Sequence, residues 1–508
     1  MTKFYFDQNG ALLLGQHVLT PGTIGASFVG TKVIITKNGS GETLYSGEIT
    51  NLKFKNQDGS FVACTGIDNF IEKTKDFFVK APIDAGAVIY GVERLRNSAD
   101  PQFTPIGNLG YHLMLPIHSL RKIVKVNAAR EIVGSLKQTD INFNEDGTAS
   151  VLDGSDGCDV MVYNPRMWAV LDGAGSSGAW ERWIIANRPF TYDGDSAIEI
   201  KAYVDAADNA TLESGVNRLR CIRNETAGFA GSGSVATAGG LGYPRTSISR
   251  YNMELYAQNK GDKWKGTYYR DHLVEAALMY IEYKTKNLKS VFGSLGTGWS
   301  SANWTAYNGS NPVLKVLEAH VTLSGRADVV SKGHLTGTFD KVFNFDNAGT
   351  PVVQTTKFGC YRGKVLRNGI WNHICGIEYE IQSVADGGLS KVWIQNNPDL
   401  IDANRSDASF AFRDTYTYRG NAARTDGWSR GTIPGTAQAG TVGGAETTFD
   451  CKYHWTNIPA SGTSRRCVLE GCNLAYGSNV AFGSSNSSHA PSLAYSYFGV
   501  GFRADVAG

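Results

Sequence analysis

Two glutamates at strand spacing, Glu378 and Glu380, are the residues whose type and spacing best suit acid–base chemistry. Alternate residues of a β-strand point to the same face of a sheet, so these two carboxyls are expected to lie side by side. Glycosidases break a sugar bond with two carboxyls about 5–10 Å apart, usually carried by different strands. One E-x-E pair is therefore a weak indication of catalysis, and the sequence favours a protein that is not an enzyme.

The glycine-rich segments lack the residues that phosphate binding or nucleophilic catalysis needs. Residues 231–234 (Gly-Ser-Gly-Ser) and 239–242 (Gly-Gly-Leu-Gly) are not followed by the Lys-Ser/Thr of a phosphate-binding loop. Residues 175–178 (Gly-Ser-Ser-Gly) do not fit the G-x-S-x-G pattern of a hydrolase nucleophile. All three segments are predicted to be loops.

Metal-binding patterns are equally weak. The nine histidines include no H-x-H or H-E-x-x-H pair, and the eight cysteines include no C-x-x-C pair. The cysteines are predicted to be buried free thiols. The acidic loop at 153–157 (Asp-Gly-Ser-Asp-Gly) lacks the glutamate that closes an EF-hand, which favours a plain turn over a calcium site. We expect no metal and no cofactor, with calcium binding left open.

The composition indicates a globular protein rich in β-structure. Of 508 residues, 42% are hydrophobic and 19% are charged, with 59 glycines and 11% aromatic residues. Glycine permits tight turns and aromatic side chains favour sheets. Extracellular adhesins and virion proteins share this composition. The formal net charge of +2 comes without a basic cluster, so nucleic acid is not an expected partner.

The termini and the hydropathy pattern bear on location. The residues after Met1 do not resemble a secretory signal, and no segment approaches the roughly 18 apolar residues of a membrane helix. The expected product is therefore made in the cytoplasm as a soluble protein.

Strands are the elements expected along most of the chain. Residues 33–36 and 43–45 flank an Asn-Gly-Ser-Gly turn and predict a β-hairpin. Residues 52–55 and 61–64 predict two further strands on either side of another turn. Residues 160–163 predict a strand directly after the acidic loop.

Two helices interrupt this pattern. Aromatic and apolar residues at helical spacing predict a helix near 267–290, stopped by Gly293. A shorter helix is expected over 248–260, closed by Gly261. An aromatic stripe at this spacing more often packs in a core than binds a ligand.

Three short blocks stand out in the last part of the chain. They are residues 368–372 (Asn-Gly-Ile-Trp-Asn), 464–472 (Ser-Arg-Arg-Cys-Val-Leu-Glu-Gly-Cys) and 499–503 (Gly-Val-Gly-Phe-Arg). In this order they resemble the "G-N-V-W-E-W", "R-V-x-R-G-G-S-W" and "G-F-R" blocks of the formylglycine-generating-enzyme-like branch of the C-type lectin fold. The resemblance implies a framework in which aromatic side chains pack in the core of a loop-rich domain and glycines let its strands and loops approach each other closely. The implied framework residues are Trp371, Arg466, Gly471, Gly501, Phe502 and Arg503.

The resemblance does not extend to catalysis. The enzymes of that branch bind copper with two nearby cysteines placed after their glycine-rich strand. Here Cys467 and Cys472 lie within the corresponding block, and no further cysteine follows them. Copper-dependent oxidation is therefore not expected.

A broader resemblance covers about 400 residues and joins the chain to proteins encoded by phages and prophages of Bacteroidales and Firmicutes. Its elements occur in order and are residues 115–119, 152–157 with 159–162, 280–287, 386–391, 418–421 with 424–428, and the C-terminal blocks. Residues 1–80 fall outside it, as expected for a unit that adapts the protein to one virion.

These resemblances imply a fold class, which is α+β and β-rich with several domains. The expected order is an N-terminal β domain over 1–80 for virion attachment or oligomerisation, then a connecting segment over 81–150. A mixed α/β domain over 151–300 and a C-type-lectin-like domain over 301–508 follow.

The implied function is that of a bacteriophage virion structural protein, a fibre or appendage subunit of the head or the tail. Its N-terminal domain would bind other virion proteins, and its C-terminal domain would bind a host cell-surface glycan or protein. A homo-oligomer is expected, with a trimer favoured because fibre subunits usually associate around a symmetry axis. The alternatives are a capsid decoration protein without a receptor, a glycan-degrading virion enzyme, and an adhesin with diversified loops.

The loops between the C-terminal blocks are the expected ligand face. They are rich in Tyr, Ser, Gly and Asn, the mixture that antibody loops use, and aromatic rings also stack on sugars. The candidate ligand-binding residues are Trp428, Asn473, Tyr476, Asn479, Asn486, His489, Tyr495 and Tyr497.

Overall fold

A computed structural model describes residues 89–222, 249–292, 359–366, 371–397, 410–430, 445–471, 482, 485–488 and 490–491, with short internal gaps of which 113–120 is the longest. For further strands outside these ranges, only the backbone pairing is described. Within the part of the chain described, no helix is both long and apolar enough to cross a membrane.

Short strands make up most of the structure, as the composition predicts. The first eighteen are β1 (Phe4–Phe6), β2 (Leu12–Leu14), β3 (His17–Leu19), β4 (Ile24–Val29), β5 (Lys32–Lys37), β6 (Thr43–Glu48), β7 (Lys53–Lys55), β8 (Phe61–Ala63), β9 (Ile89–Leu95), β10 (Thr104–Ile106), β11 (Lys122–Val126), β12 (Ile132–Lys137), β13 (Asp140–Asn144), β14 (Asp159–Asn164), β15 (Met167–Gly173), β16 (Trp180–Ala186), β17 (Thr191–Tyr192) and β18 (Asp195–Ser196).

The remaining strands are β19 (Ile198–Ile200), β20 (Tyr203–Ala206), β21 (Thr211–Glu213), β22 (Arg218–Arg220), β23 (Phe229–Ala230), β24 (Trp264–Gly266), β25 (Gly337–Phe343), β26 (Gln354–Tyr361), β27 (Lys364–Val365), β28 (Trp371–Gln382), β29 (Ser390–Ile394), β30 (Thr417–Asn421), β31 (Gly427–Trp428), β32 (Tyr453–Trp455), β33 (Thr463–Glu470), β34 (Ser485–Asn486), β35 (Val500–Gly501) and β36 (Ala504–Val506). The described helices are α1 (Arg250–Gln258), α2 (Tyr269–Tyr283), α3 (Leu288–Phe292) and the 3₁₀ helix η1 (Ala411–Asp414).

The chain forms two compact units, each built from several stretches of sequence. The first comprises Met1–Glu93, Thr104–Arg121 and Pro165–Lys201. The second comprises Arg94–Phe103, Lys122–Asn164 and Ala202–Gly508. A β-rich fold with few helices is thus confirmed, while the four consecutive domains inferred from the sequence remain a prediction.

The first unit consists of antiparallel strands. Its largest sheet has the order β10-β9-β16-β15-β19. Gly91 lies so close to β16 that a Cβ there would stand 2.3 Å from the Trp183 carbonyl oxygen, so only glycine fits. Nearer the N-terminus, β5 pairs with β6 and places Ile35 opposite Tyr45. β7 pairs likewise with β8, so both strand pairs predicted there are confirmed.

The second unit contains a seven-stranded sheet with the order β13-β12-β11-β14-β20-β36-β24. Strand β14 occupies the position predicted after the acidic loop. Strand β36, from far along the chain, lies between β20 and β24, where Val506 is opposite both Val204 and Trp264. The interior of the sheet therefore depends on residues that are remote in sequence.

Helix α1 confirms the shorter predicted helix. Ser249 caps its start by accepting a hydrogen bond from the Asn252 backbone N–H at 3.2 Å. After the helix ends, the Gly261 N–H donates to the Gln258 carbonyl at 2.9 Å. The predicted closing glycine therefore does bond back to the last turn.

Helix α2 confirms the longer predicted helix but ends at Tyr283, well before Gly293. Lys284 adopts a left-handed conformation (φ 56°), and its N–H bonds to the Tyr280 carbonyl, which terminates the helix. The chain then turns through Lys286, whose ammonium pairs with the buried Asp450. A separate short helix, α3, follows. The continuous apolar spacing concealed this break.

Helix α2 is buried on nearly every side. It carries Arg, Asp, His and Glu side chains as well as apolar ones, and those that are buried are paired. Asp271 accepts hydrogen bonds from Lys265 at 2.9 Å and from Arg270 at 2.7 Å. His272 pairs with Glu470 at 2.6 Å. Buried charges need such compensation, because leaving one unpaired is costly.

The second large sheet of this unit has eight strands. Its main order is β30-β29-β28-β33-β34-β32-β31, and β35 pairs with β28. Strand β28 runs through its centre and is almost completely buried. The cysteines that the structure describes agree with the prediction of core thiols, because all of them are buried; they are Cys158, Cys221, Cys360, Cys375, Cys451 and Cys467.

Candidate functional site

The three blocks that carry the lectin resemblance lie on neighbouring strands of the eight-stranded sheet. Trp371 begins β28, which pairs with β35 in parallel so that Trp371 is opposite Val500. On its other side β28 pairs antiparallel with β33. Gly471 follows β33 directly with φ 104°, a conformation that favours glycine. The structure therefore brings together segments more than a hundred residues apart.

An aromatic cluster occupies the β31–β32 end of this sheet. We define it as Trp428, Tyr453 and Trp455, all half-buried. Trp428 meets Tyr453 edge-on with ring centroids 5.4 Å apart, and Tyr453 is tilted against Trp455 at 4.5 Å. Trp455 in turn packs edge-on against the buried Trp371 at 5.2 Å. The cluster is thus anchored to the interior by one of its own rings.

Period-two alternation explains why Tyr453 and Trp455 share a face. Successive side chains of a strand point to opposite sides, so His454 between them points inward. Its ring stacks on Tyr379 at 6.1 Å, and its Nδ1 and Nε2 lie 2.9 Å from the Ser485 hydroxyl and 3.2 Å from the Ser487 hydroxyl. Burial lowers the pKa of His454 to about 3, so the imidazole is neutral.

Polar residues flank the aromatic cluster. The Asp426 carboxylate is exposed and accepts a hydrogen bond from the Thr456 backbone N–H at 2.8 Å, which joins the loop before β31 to the end of β32. Asn486 lies opposite Trp455 on β34 and accepts a hydrogen bond from the Ser488 N–H at 2.8 Å. Burial and the nearby Asp426 carboxylate together raise the pKa of Tyr453.

Two of the predicted ligand-binding residues therefore lie on strands that flank β32, namely Trp428 and Asn486. Sequence reasoning missed Tyr453, Trp455 and Asp426. The signal was present as Tyr-His-Trp at 453–455, an alternation of large rings typical of a half-buried strand. The other predicted ligand-binding residues lie outside the described residues and are Asn473, Tyr476, Asn479, His489, Tyr495 and Tyr497.

Of the framework residues implied by the lectin resemblance, four lie on or beside strands of the eight-stranded sheet. Trp371 is buried, Gly471 ends a central strand, and Gly501 lies opposite Asn372. Arg466 is half-buried opposite Tyr379. Phe502 and Arg503 lie outside the described residues.

Both carboxylates considered for catalysis are engaged by arginines. Glu378 is fully buried and accepts hydrogen bonds from Arg465 at 3.0 and 3.1 Å and another from Arg250. Glu380 pairs with Arg413 at 2.7 Å. A glycosidase needs both carboxyls to face the sugar bond, whereas these two carboxylates are occupied by arginines. The environment of this pair is that of structural ion pairs.

The acidic loop at 153–157 uses its carboxylates within its own turns. Asp153 accepts hydrogen bonds from the Ser155 N–H at 3.0 Å and its hydroxyl at 2.7 Å, and these bonds lower its pKa. Asp156 accepts one from the Cys158 N–H at 3.1 Å. Among the described residues, no group of three or more His, Cys, Asp or Glu side chains is arranged to hold a metal ion.

A shallow groove lies beside that loop, lined by β12, β13 and the residues near Asp156. Its volume is about 390 Å³. The ammonium of Lys125 lines it and is already bonded to Asp156 and to the Val151 carbonyl. The groove brings together none of the predicted site residues.

Comparison with known proteins adds no family to this description. No protein-family model matches the chain, and no curated protein matches it at a significant level.

Proposed function

We propose that this chain is a non-enzymatic bacteriophage virion protein, a fibre or appendage subunit whose C-terminal region folds as a lectin-like domain and binds glycans on the host surface. The observation that carries the glycan-binding part is the aromatic cluster of Trp428, Tyr453 and Trp455 beside Asp426.

The chemistry of this cluster suits a sugar. A pyranose ring has an apolar C–H face that stacks on an aromatic ring, and hydroxyls around its edge that need hydrogen-bond partners. Trp428 and Tyr453 are half-buried aromatic residues, and Asp426 is exposed. The cluster is also preorganised, because Trp455 packs on Trp371 and the Asp426–Thr456 bond joins the two sides. Preorganisation reduces the entropy lost on binding.

The virion role is supported by the sequence resemblances and by the kind of site. A single small aromatic cluster binds a sugar weakly, and several copies around a symmetry axis would multiply that affinity through avidity. The trimer remains the favoured assembly. The N-terminal strands would form the attachment to other virion proteins.

The absence of catalysis belongs to the proposal as well. The two candidate carboxylates, Glu378 and Glu380, are each paired with arginine and stabilise the sheet. A recognition site needs no group poised to donate a proton, and the aromatic cluster contains none among its described residues that titrates near neutral pH.

A binding experiment tests the glycan part. The full-length protein should bind a subset of glycans on an array and should bind host cells. Trp428→Ala should weaken this binding more than tenfold, because aromatic residues that become buried in an interface often contribute most of the binding energy. The matched control is Trp168→Ala, which removes a half-buried tryptophan stacked on Arg166 in the first unit. Equal binding by both variants, or none by the wild-type protein, would contradict the proposal and favour capsid decoration.

The virion and enzyme parts have their own tests. Mass spectrometry of purified particles should detect the chain, and sedimentation of the isolated protein should give three copies per assembly. Incubation with host capsule should release no reducing sugar. Release that is lost in a Glu380→Gln variant whose urea unfolding matches that of the wild-type protein would establish the glycan-degrading alternative instead.

A further inference from the structure

We infer that the aromatic cluster selects glycans that carry a protonated amino sugar over glycans that carry an acidic sugar, with Asp426 as the selecting residue. This inference rests on the proposed glycan binding and names the class of ligand. Asp426 is exposed, and its hydrogen bond to Thr456 fixes the carboxylate where it flanks the aromatic cluster.

The cations nearest to Asp426 in the described sequence are directed elsewhere. The Arg424 guanidinium donates to the Ser390 hydroxyl at 2.9 Å. Arg430 stacks on the Phe449 ring at 4.4 Å. Lys452, although adjacent to Tyr453 in sequence, is buried and lies 5.8 Å from the centroid of a ring of α2. Among the charged residues closest to the cluster in sequence, Asp426 is therefore the exposed one.

A hydrogen bond to Thr456 uses one carboxylate oxygen and leaves the other to a ligand. Such a carboxylate accepts hydrogen bonds from sugar hydroxyls and pairs with an ammonium group, but it repels a uronic or sialic acid carboxylate. Burial and the Asp426 carboxylate both raise the pKa of Tyr453, which agrees with a carboxylate near the ring. A sugar stacked on Tyr453 would then also meet this charge.

The arrangement of the rings narrows the ligand further. The ring planes of Trp428 and Tyr453 cross at 82° in an edge-to-face contact, so the two rings do not form a flat platform. A flat platform would suit the interior of a linear polymer, so we infer that a terminal sugar residue is the better ligand. The expected ligand is a glycan that ends in an amino sugar.

The test uses the full-length protein and three oligosaccharide probes of similar size, made of glucosamine, of N-acetylglucosamine and of glucuronic acid. Asp426→Asn keeps an oxygen that can accept the Thr456 N–H and removes the charge. A solvent-exposed charge pair at about 4 Å contributes a factor of about five in affinity. The variant should therefore bind glucosamine about fivefold more weakly, N-acetylglucosamine unchanged, and glucuronic acid about fivefold more tightly.

Asp414→Asn is the matched control, because it neutralises another exposed aspartate of the second unit, the last residue of η1. It should leave all three affinities unchanged. If Trp428→Ala abolishes binding while Asp426→Asn leaves the three affinities in their original ratio, glycan binding stands and the charge selection is overturned. If the wild-type protein binds glycans on the array but none of the three probes, the inference is overturned and glycan binding stands. If it binds no glycan at all, or if its binding is unaffected by Trp428→Ala, both the inference and the proposed site are overturned.

Discussion

Arg465 donates two hydrogen bonds to Glu378 inside the eight-stranded sheet, from Nε to Oε2 at 3.1 Å and from Nη2 to Oε1 at 3.0 Å. Arg250 reaches the same carboxylate from α1. Burial alone would lower the pKa of Arg250, but the Glu378 and Glu254 carboxylates raise it well above its ordinary value. One carboxylate between two guanidiniums thus joins α1, β28 and β33.

Replacing Glu378 by glutamine should destabilise the protein by about 3–5 kcal/mol, because it leaves two fully buried arginines without their shared counter-charge. Urea unfolding followed by tryptophan fluorescence measures the change. Glu145→Gln is the control, since it breaks an ion pair with Lys122 in which both side chains are more than one-third exposed. That variant should lose no more than about 1 kcal/mol. Equal losses would contradict the assignment of Glu378 as a structural ion-pair partner.

His454 should make stability depend on pH below neutrality. Its pKa is about 3 in the folded protein and 6.5 in its ordinary state, so between these values the unfolded chain binds a proton that the folded chain does not. The stability that the neutral His454 contributes is fully present above pH 6.5 and is lost as the pH falls toward 3. The free energy of unfolding should therefore decrease by up to about 1.4 kcal/mol per pH unit in this window.

His454→Gln provides the comparison, because glutamine stays neutral at every pH in this range. Its free energy of unfolding should fall less steeply between pH 6 and pH 4 than that of the wild-type protein, and the two slopes should agree above pH 7. Identical slopes in the acid range would show that His454 is protonated in the folded state.

Asp505→Pro should disrupt the seven-stranded sheet. Asp505 lies opposite Lys265 in a strand that has neighbours on both sides, and proline there removes a backbone donor and clashes with regular pairing. The expected loss is about 3 kcal/mol, measured by thermal unfolding. Asp505→Ala keeps the backbone donor and should cost much less. A proline variant as stable as the alanine variant would argue against β36 as an internal strand.

Gly376→Ala should destabilise the protein by about 3 kcal/mol or more. Gly376 has φ 74°, and an added Cβ would lie 2.5 Å from the Tyr268 ring. Gly147→Ala is the control, since its φ of 86° is similar but no atom lies within 4 Å of the added Cβ. The free energy of unfolding of that variant should fall by only about 1–2 kcal/mol, the cost of placing alanine in a left-handed backbone conformation. The difference between the thermal unfolding midpoints of the two variants measures the clash of the added Cβ with the Tyr268 ring. A negligible difference would mean that Tyr268 moves away from the added Cβ.

Local patterns predicted much of the secondary structure. Alternation and turn residues located the β5–β6 hairpin, and helical spacing located α1 and α2. The end of α2 was misplaced because Lys284 adopts a left-handed conformation that its residue type does not signal. The turn after the helix is held by the ion pair of Lys286 with Asp450, which are 164 residues apart.

The candidate site could be predicted only in part, for the same reason. Trp428 and Asn486 were identified from composition, but the strand that places them together, β32, lies between them in sequence and was not recognised. Asp426 was not singled out, since its position depends on a hydrogen bond from the Thr456 N–H, thirty residues away. Long-range pairing of this kind has no signature in residue spacing.

The position of β36 between β20 and β24 has a consequence for biosynthesis. More than two hundred residues must be translated after β24 before β36 leaves the ribosome. Until then, β20 and β24 lack the neighbour that joins them, and their unpaired edges are open to other chains. We expect this protein to complete its second unit after translation, slowly, and with a need for chaperones at high expression levels.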